Sequence, residues 1–216
     1  MVHYYNDVLE PLINGTQVQM AKEVDISQRT IVKIVDNLRE LCVKFYRDQP
    51  IQLGGDGCVV EADESLFRHK QKYHRGRQPA RELWVFGLAD RGFNPSRVAL
   101  FLVSNRTSST LLPNIESTCK DGTIVHTDMW KGYNRINNYM RFIHRTVNHS
   151  ENFINPEDGT HTQAIESLWS KFKKQIKNTK GIAGDKLESL LSELMYKNNE
   201  CEFAGFDAVL ILLRKN

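Results

Sequence analysis

In the N-terminal part of the chain, apolar residues recur at steps of three and four, which is the spacing of one face of an α-helix. The clearest series consists of Ile31, Ile34, Val35, Leu38, Leu41, Cys42 and Phe45. Ser27 stands just before this series, where an N-cap residue is expected. A shorter helical stretch over residues 18–23 precedes it across a tight connection. Two helices joined by a short turn are typical of a helix-turn-helix motif.

The second helix of such a motif presents its early turns to DNA. On that part of the predicted helix the exposed side chains are those of Gln28, Arg29, Thr30 and Lys33. We therefore take Arg29 and Lys33 as candidate DNA-binding residues. A plain pair of packed helices gives the same pattern, and the sequence does not decide between these two interpretations.

Proline and glycine cluster at residues 49–57, where the helical spacing gives way to strand patterns. This change predicts a boundary between a helical, helix-turn-helix-like DNA-binding segment, residues 1–50, and a second domain, residues 51–216. Apolar runs typical of strands lie at 58–67, 83–91, 97–104, 123–128 and 141–147. Helical patterns lie at 108–120, 161–177, 184–199 and 203–216. This order predicts a mixed α/β fold with one central sheet flanked by helices.

Three carboxylates stand at places where a metal site could be built. Asp63 lies in or just past the apolar run of the first strand, on the same strand face as Glu61. Asp128 ends the short strand at 123–128, and Glu166 lies in the first turns of a later helix. A carboxylate at the end of an apolar strand is costly unless it is paired or bound to a metal ion. If the three converge, their oxygen atoms suit Mg²⁺ or Mn²⁺.

Each of these acids, taken alone, also has an ordinary explanation. An aspartate at the end of a strand is commonly a turn former or a surface charge. A glutamate in the first turn of a helix is commonly there because it interacts favourably with the helix dipole. It is the combination of the three acids, in their order and setting, that favours a catalytic site.

Basic side chains cluster in two places. The run at 68–81 contains no acid and supplies the candidate DNA-binding residues Arg68, Lys70, Lys72, Arg75 and Arg77. The helix at 161–177 supplies Lys173 and Lys174, and Lys173 shares one helix face with Glu166. Both clusters could follow a phosphate backbone. A solvated loop and a solvated helix face are the simpler alternatives.

Three further residues are candidate accessory groups. His149 and His161 could lie near the metal ions and touch DNA, although a structural role fits the pattern of these histidines equally well. Gln163 could donate a hydrogen bond near the acids. It could instead form a capping box with Thr160 at the start of the helix.

The composition indicates where in the cell the protein is expected. The net charge is only +3, and the four cysteines lie far apart, which favours a reduced intracellular setting over a disulfide framework. No apolar run approaches the roughly 20 residues of a membrane span, and the N-terminus carries no secretory signal. We expect a protein that is neither secreted nor bound to a membrane, located in the nucleus if the source is eukaryotic and in the cytoplasm otherwise.

Five motifs in a fixed order resemble a known family. They are VEADESLF, HKQKYHRGR, WVFGLADR, HTDMWKGY and TVNHSENFINPEDGTHTQAIESLWSKFKK. In this order they resemble the transposases of Merlin elements, which are eukaryotic relatives of a group of bacterial insertion-sequence transposases. The resemblance extends from about Leu53 to about Asn198. One departure is Gln163, where relatives often carry asparagine.

The resemblance implies an RNase H-like fold with an Asp-Asp-Glu (DDE) active site. Asp63 would be the first acid, Asp128 the second and Glu166 the third. The implied mechanism is phosphoryl transfer with two Mg²⁺ or Mn²⁺ ions, in which water attacks at the transposon ends and the freed hydroxyl attacks target DNA. The implied partners are double-stranded DNA, both as ends and as target, and further copies of the chain in a homo-oligomer.

Two other functions remain open at this stage. One is a decayed or host-adopted copy that binds DNA without catalysis, although the presence of all three acids favours an active enzyme. The other is a nuclease of the same fold that acts on RNA–DNA hybrids. The helix-turn-helix pattern and the basic run favour duplex DNA over such hybrids.

Overall fold

The computed structural model describes residues 16–68, 82–139, 141–151, 154–178 and 186–201. Most of the basic run and the helix predicted at 203–216 lie outside these described residues. Along the described ranges the elements are α1 (Gln17–Glu23), α2 (Gln28–Asp48), β1 (Val59–Arg68), β2 (Leu83–Asp90), β3 (Arg97–Val103), α3 (Ser108–Thr118), β4 (Ile124–Asp128), β5 (Ile143–Val147), α4 (Gln163–Asn178) and α5 (Leu187–Tyr196). A π-helical turn, Lys197–Cys201, follows α5.

The chain forms two compact units, Met1–Gln49 with Gln175–Asn216, and Pro50–Lys174. The division after Gln49 falls within the cluster of proline and glycine where the sequence predicts a boundary. Residues 175–216, which the sequence prediction placed with the sheet, belong here to the first unit. No helix in the described ranges is long and apolar enough to cross a membrane.

In the first unit, α1 and α2 begin at side-chain caps. The hydroxyl of Ser27 accepts a hydrogen bond from the backbone N–H of Thr30 at 3.2 Å, which confirms Ser27 as the N-cap of α2. Thr16 caps α1 in the same way, by accepting from the N–H of Gln19. Asp25 has a φ of 50° and makes the tight connection between the two helices, a conformation that aspartate tolerates better than most residues.

α5 belongs to the first unit because it packs on α2. The ring of Tyr196 meets that of Phe45 edge to face, with the ring centroids 5.1 Å apart. Nε of Arg39 lies 2.7 Å from Oε2 of Glu193, and Nζ of Lys186 lies 2.6 Å from a carboxylate oxygen of Asp36. An amphipathic pattern predicts a helix but does not name its partner, which is why the sequence alone grouped α5 with the sheet.

In its described residues, the second unit contains a five-stranded sheet in the order β3-β2-β1-β4-β5. The strands β3, β2 and β1 are antiparallel, whereas β1, β4 and β5 are parallel. Buried apolar side chains on the central strands include those of Val60, Ala62, Val85, Leu88 and Val125. This mixed sheet, flanked by helices, confirms the predicted RNase H-like fold class.

α4 lies very close to the sheet at Gly87 of β2. A Cβ atom at this position would be 2.5 Å from the ring of Trp169 and 2.9 Å from the side chain of Ile165. Only glycine allows the backbone to approach so closely. The sequence predicts that Trp169 and Phe172 pack into the core, and both side chains are buried. The close approach brings the first turns of α4 over the strand that carries Asp63.

Candidate active site

Asp63 and Asp128 lie on two neighbouring parallel strands. The register pairs Glu61 of β1 with His126 of β4, so that Asp63 in the middle of β1 and Asp128 at the end of β4, each two residues further on, lie on adjacent strands. Asp128 closes β4, and one of its carboxylate oxygens accepts the N–H of Trp130 at 2.9 Å. Parallel strands that run side by side therefore bring together two acids that are remote in the sequence.

α4 brings Glu166 to the same face of the sheet. The indole Nε1 of Trp169 donates a hydrogen bond to Oδ2 of Asp63 at 2.9 Å, which joins the helix to β1. Glu166 lies less than one helical turn before Trp169, and its side chain is 48% exposed. The third predicted acid is thus the most accessible to solvent and to a substrate.

The charges of Asp128 and Glu166 both act on Asp63. Burial raises the pKa of Asp63 to about 6, and the carboxylates of Asp128 and Glu166 act in the same direction. The hydrogen bond from Trp169 opposes this rise. Asp128 and Glu166 therefore lie within electrostatic range of Asp63.

Glu64, on the other face of β1, is a further acid close to this site. Burial raises its pKa to about 7, and the charges of Asp63 and Asp128 add to the effect. The buried Tyr133 lies nearby, and burial together with the Glu64 charge holds the pKa of its phenol well above the usual range. The alternation along β1 assigns Glu64 to the opposite face but does not reveal how deeply it is buried.

Glu166 is held by a short chain of hydrogen bonds. Its Oε1 accepts from the hydroxyl of Thr162 at 2.9 Å, and that hydroxyl is 2.8 Å from Nε2 of His149. His149 Nε2 also lies 3.5 Å from the same carboxylate oxygen. The structure therefore brings the accessory candidate His149 to Glu166. Thr162 was not among the residues predicted from the sequence, although its position one helical turn before Glu166 could have indicated it.

The other two accessory candidates have different surroundings. Nδ1 of His161 lies 3.2 Å from Oε1 of Glu61, and burial lowers the pKa of His161. Gln163 is the first, exposed residue of α4. The capping box that the sequence suggested between Thr160 and Gln163 does not form, since the buried hydroxyl of Thr160 has no hydrogen-bond partner. The first N–H groups of α4 bind Glu61 instead.

The predicted DNA-binding residues are spread over the chain. Lys173 lies on α4 with its Nζ 5.8 Å from the centre of the Phe67 ring, and burial lowers its pKa while the charge of Asp63 opposes this shift. Lys174, Arg29 and Lys33 are exposed. Arg68 is the last residue of β1. The remaining candidates, Lys70, Lys72, Arg75 and Arg77, lie outside the described residues.

The site is not a preassembled metal centre. Within the ranges that the structure describes, no three carboxylate, thiol or imidazole side chains stand close enough together to hold a metal ion. The donor set is nevertheless suitable, because carboxylate oxygens are the ligands that Mg²⁺ and Mn²⁺ prefer.

Known proteins resemble this chain in sequence and in structure. Residues 52–199 match the family model described as the ISXO2-like transposase domain. A Haemophilus influenzae protein described as an uncharacterized transposase-like protein is 29% identical over 119 residues, which make up 55% of this chain and 94% of that protein. The family match includes the whole sheet and all three acids.

Two solved structures are also similar at low sequence identity. The catalytic core domain of BIV integrase has a TM-score of 0.43 and 14% identity, with 73% of this chain and 94% of that chain covered. The HTLV-2 integrase catalytic core domain, solved in complex with magnesium, has a TM-score of 0.40 and 12% identity, with 69% and 88% covered. The assignment to a family rests on the sequence match, not on these structures.

Proposed function

The chain belongs to the ISXO2-like transposase family, and from this premise we propose that it is a DDE-type DNA transposase. In this proposal, Asp63, Asp128 and Glu166 are the catalytic acids of a polynucleotidyl transferase. The enzyme cleaves DNA at transposon ends and joins the freed ends to target DNA. The observation that supports it best is that Asp63 and Asp128 lie on adjacent parallel strands and that the charges of Asp128 and Glu166 both act on Asp63.

The same three carboxylates would hold two Mg²⁺ or Mn²⁺ ions. Such ions, when bound, polarise the phosphate and neutralise the charge that develops during the transfer of a phosphoryl group. The donor atoms suit these ions, since all of them are carboxylate oxygens. The repulsion that Asp128 and Glu166 exert on Asp63 also supports the assignment, because a bound cation would offset it.

The other side chains at the site position the acids and the DNA. Trp169 orients the Asp63 carboxylate through its indole N–H. Thr162, with His149 behind it, orients Glu166. Lys173 lies on the same helix as Glu166 and would contact a phosphate of the bound strand. In this kind of reaction the protein contributes positioning and charge stabilisation rather than covalent chemistry.

Double-stranded DNA is the proposed substrate, both as transposon end and as target. Arg29 and Lys33 in the first unit, together with the basic run at 68–81, are the proposed further contacts to the DNA backbone. Pairing two transposon ends calls for at least two copies of the active site, so we propose a homo-oligomer. It would act in the nucleus of a eukaryotic source, and in the cytoplasm otherwise.

A strand-cleavage assay tests the proposal. The substrate is a labelled duplex that carries the terminal inverted repeat flanking the gene, and Mg²⁺ or Mn²⁺ is added to the purified chain. We expect cleavage at the transposon end, and a loss of more than about 100-fold in rate for Asp63→Asn, Asp128→Asn and Glu166→Gln, because each removes a charged metal ligand. The exposed Glu157, which lies outside the acid cluster, provides the matched control Glu157→Gln, which should cleave normally.

Two results would contradict this function. Undiminished cleavage by the wild-type chain in excess chelator would exclude metal-dependent chemistry. Salt-sensitive binding to the duplex without any cleavage in either metal would identify a DNA-binding protein that lacks catalysis, which is the principal alternative.

A further inference from the structure

A second acidic residue of β1, Glu61, is fully buried and takes no part in the proposed chemistry. Its exposed fraction is 0%. Its Oε2 accepts hydrogen bonds from the backbone N–H groups of Ala164 at 2.8 Å and of Ile165 at 3.0 Å. These donors belong to the first turn of α4, where a helix has no carbonyl partners of its own for its N–H groups. A side chain about a hundred residues away in the sequence therefore caps this helix.

The other carboxylate oxygen of Glu61 faces positive or polar groups. Nε of Arg91 lies 3.6 Å from Oε1, and Nδ1 of His161 lies 3.2 Å from it. Burying a carboxylate is costly unless charges and hydrogen bonds compensate for the loss of water. Burial raises the pKa of Glu61, and the N–H groups at the start of α4 and the guanidinium of Arg91 oppose this rise without cancelling it.

Glu61 and Asp63 together join α4 to one strand at two points. Glu61 binds the helix at Ala164 and Ile165, and Asp63 binds it again through Trp169. Glu166 lies between these two points along the helix. The position of its carboxylate relative to Asp63 is therefore set by contacts that both come from β1.

We propose that Glu61 is a positioning residue, which fixes the start of α4 on β1 and thereby sets the position of Glu166 relative to Asp63 and Asp128. The proposal rests on the proposed function, since it assumes that these three acids share bound cations. Residues that orient metal ligands without touching the metal typically change metal affinity or activity by about 10- to 100-fold when they are replaced.

Asp90 offers a matched control for the loss of a buried carboxylate. It is only 3% exposed, and its two oxygens accept backbone N–H groups from Gly54 at 2.7 Å and Gly92 at 2.8 Å. It thus resembles Glu61 in burial and in the number of N–H groups it binds, but those groups lie in loops and not in α4. If Glu61→Gln weakened Mn²⁺ binding only because it removes a buried charge, Asp90→Asn should weaken Mn²⁺ binding equally.

The experiment measures Mn²⁺ affinity from the paramagnetic resonance signal of free Mn²⁺, for the full chain with and without the end duplex. Thermal stability is measured on the same samples. We expect Glu61→Ala to weaken Mn²⁺ binding by about 10- to 100-fold, and Glu61→Gln to weaken it less, because the amide oxygen still accepts from the helix. Asp90→Asn should lower the melting temperature and leave Mn²⁺ affinity within about twofold of the wild type.

The possible results distinguish a failure of the positioning role of Glu61 from a failure of the proposed transposase function. Wild-type protein that shows no Mn²⁺ binding sensitive to Asp63→Asn contradicts the proposed function. If the wild type binds Mn²⁺ in this way and both Glu61 variants bind it as tightly as the wild type, only the role of Glu61 is overturned. That role is also overturned if Asp90→Asn loses as much Mn²⁺ affinity as Glu61→Gln. If Glu61→Gln cannot be purified folded while Asp90→Asn can, Glu61 is a folding residue and the positioning role is likewise wrong.

Discussion

At the level of single residues, Trp169 combines a packing role with a polar one. Its ring lies over Gly87 and meets the edge of the Phe67 ring at a centroid distance of 5.6 Å. Its indole N–H is directed at Asp63, which gives a buried donor the partner it requires. The sequence predicts the packing role from the helical spacing. The hydrogen bond depends on how the helix lies over the strand, which no local pattern contains.

Replacement of Trp169 by phenylalanine should separate these two roles. The variant keeps an aromatic ring in the core but leaves one Asp63 oxygen without its donor. We expect the Mn²⁺ concentration for half-maximal cleavage to rise about tenfold, since a residue that orients a metal ligand is lost. Phe67→Leu is the control, because it removes the ring contact and keeps the hydrogen bond. Equal metal dependence in the two variants would show that only packing matters at this position.

At the level of elements, the sequence predicts the strands and helices well, because each carries its own periodicity. β1 runs over Val59–Arg68 against a predicted 58–67, and α4 over Gln163–Asn178 against a predicted 161–177. The acids on these two elements could be singled out for the same reason. The cap that Glu61 provides for α4 could not, since it requires the spatial relation of two elements that are far apart in the chain.

α5 is a second case in which the sequence predicts an element but not the element on which it packs. Its charged contacts lead to a testable prediction. Glu193 is bonded to Arg39 of α2 and to Lys197, with N–O distances of 2.7 Å and 2.6 Å. Burial alone would raise the pKa of Glu193, but these two cations lower it below its ordinary value of 4.5. A group whose pKa is lower in the folded state stabilises the fold above its unfolded pKa, and this stabilisation is lost as the pH falls through the folded value.

We therefore expect Glu193→Gln to lower the free energy of unfolding by about 2 kcal/mol at neutral pH. The difference from the wild type should shrink as the pH falls below 4.5, because Glu193 becomes protonated first in the unfolded chain and then, at its lower pKa, in the folded chain. Chemical denaturation over a range of pH values measures both effects. Glu188→Gln, an exposed change on the same helix, should have little effect. A destabilisation of Glu193→Gln that does not depend on pH would mean that the ion pairs contribute nothing.

At the level of the whole molecule, the distribution of charge is a better guide to a nucleic-acid partner than the net charge. The net charge of +3 does not by itself indicate a nucleic-acid partner. The second unit nevertheless carries Lys173 within electrostatic reach of Asp63, on the helix that also supplies Glu166. A DNA strand whose scissile phosphate approaches the acids would pass this lysine. Lys120 lies just before β4, and so at the opposite end of that strand from Asp128.

This difference in position predicts different effects on the salt dependence of DNA binding. Each lysine that contacts a phosphate releases a counterion, so that the slope of log K against log salt is about 0.9 per contact in B-DNA. Lys173→Ala should weaken binding to the end duplex and reduce the slope by about one, whereas Lys120→Ala should change neither. Fluorescence anisotropy at several salt concentrations measures both quantities. Equal slopes for the two variants would show that Lys173 does not contact the phosphate backbone.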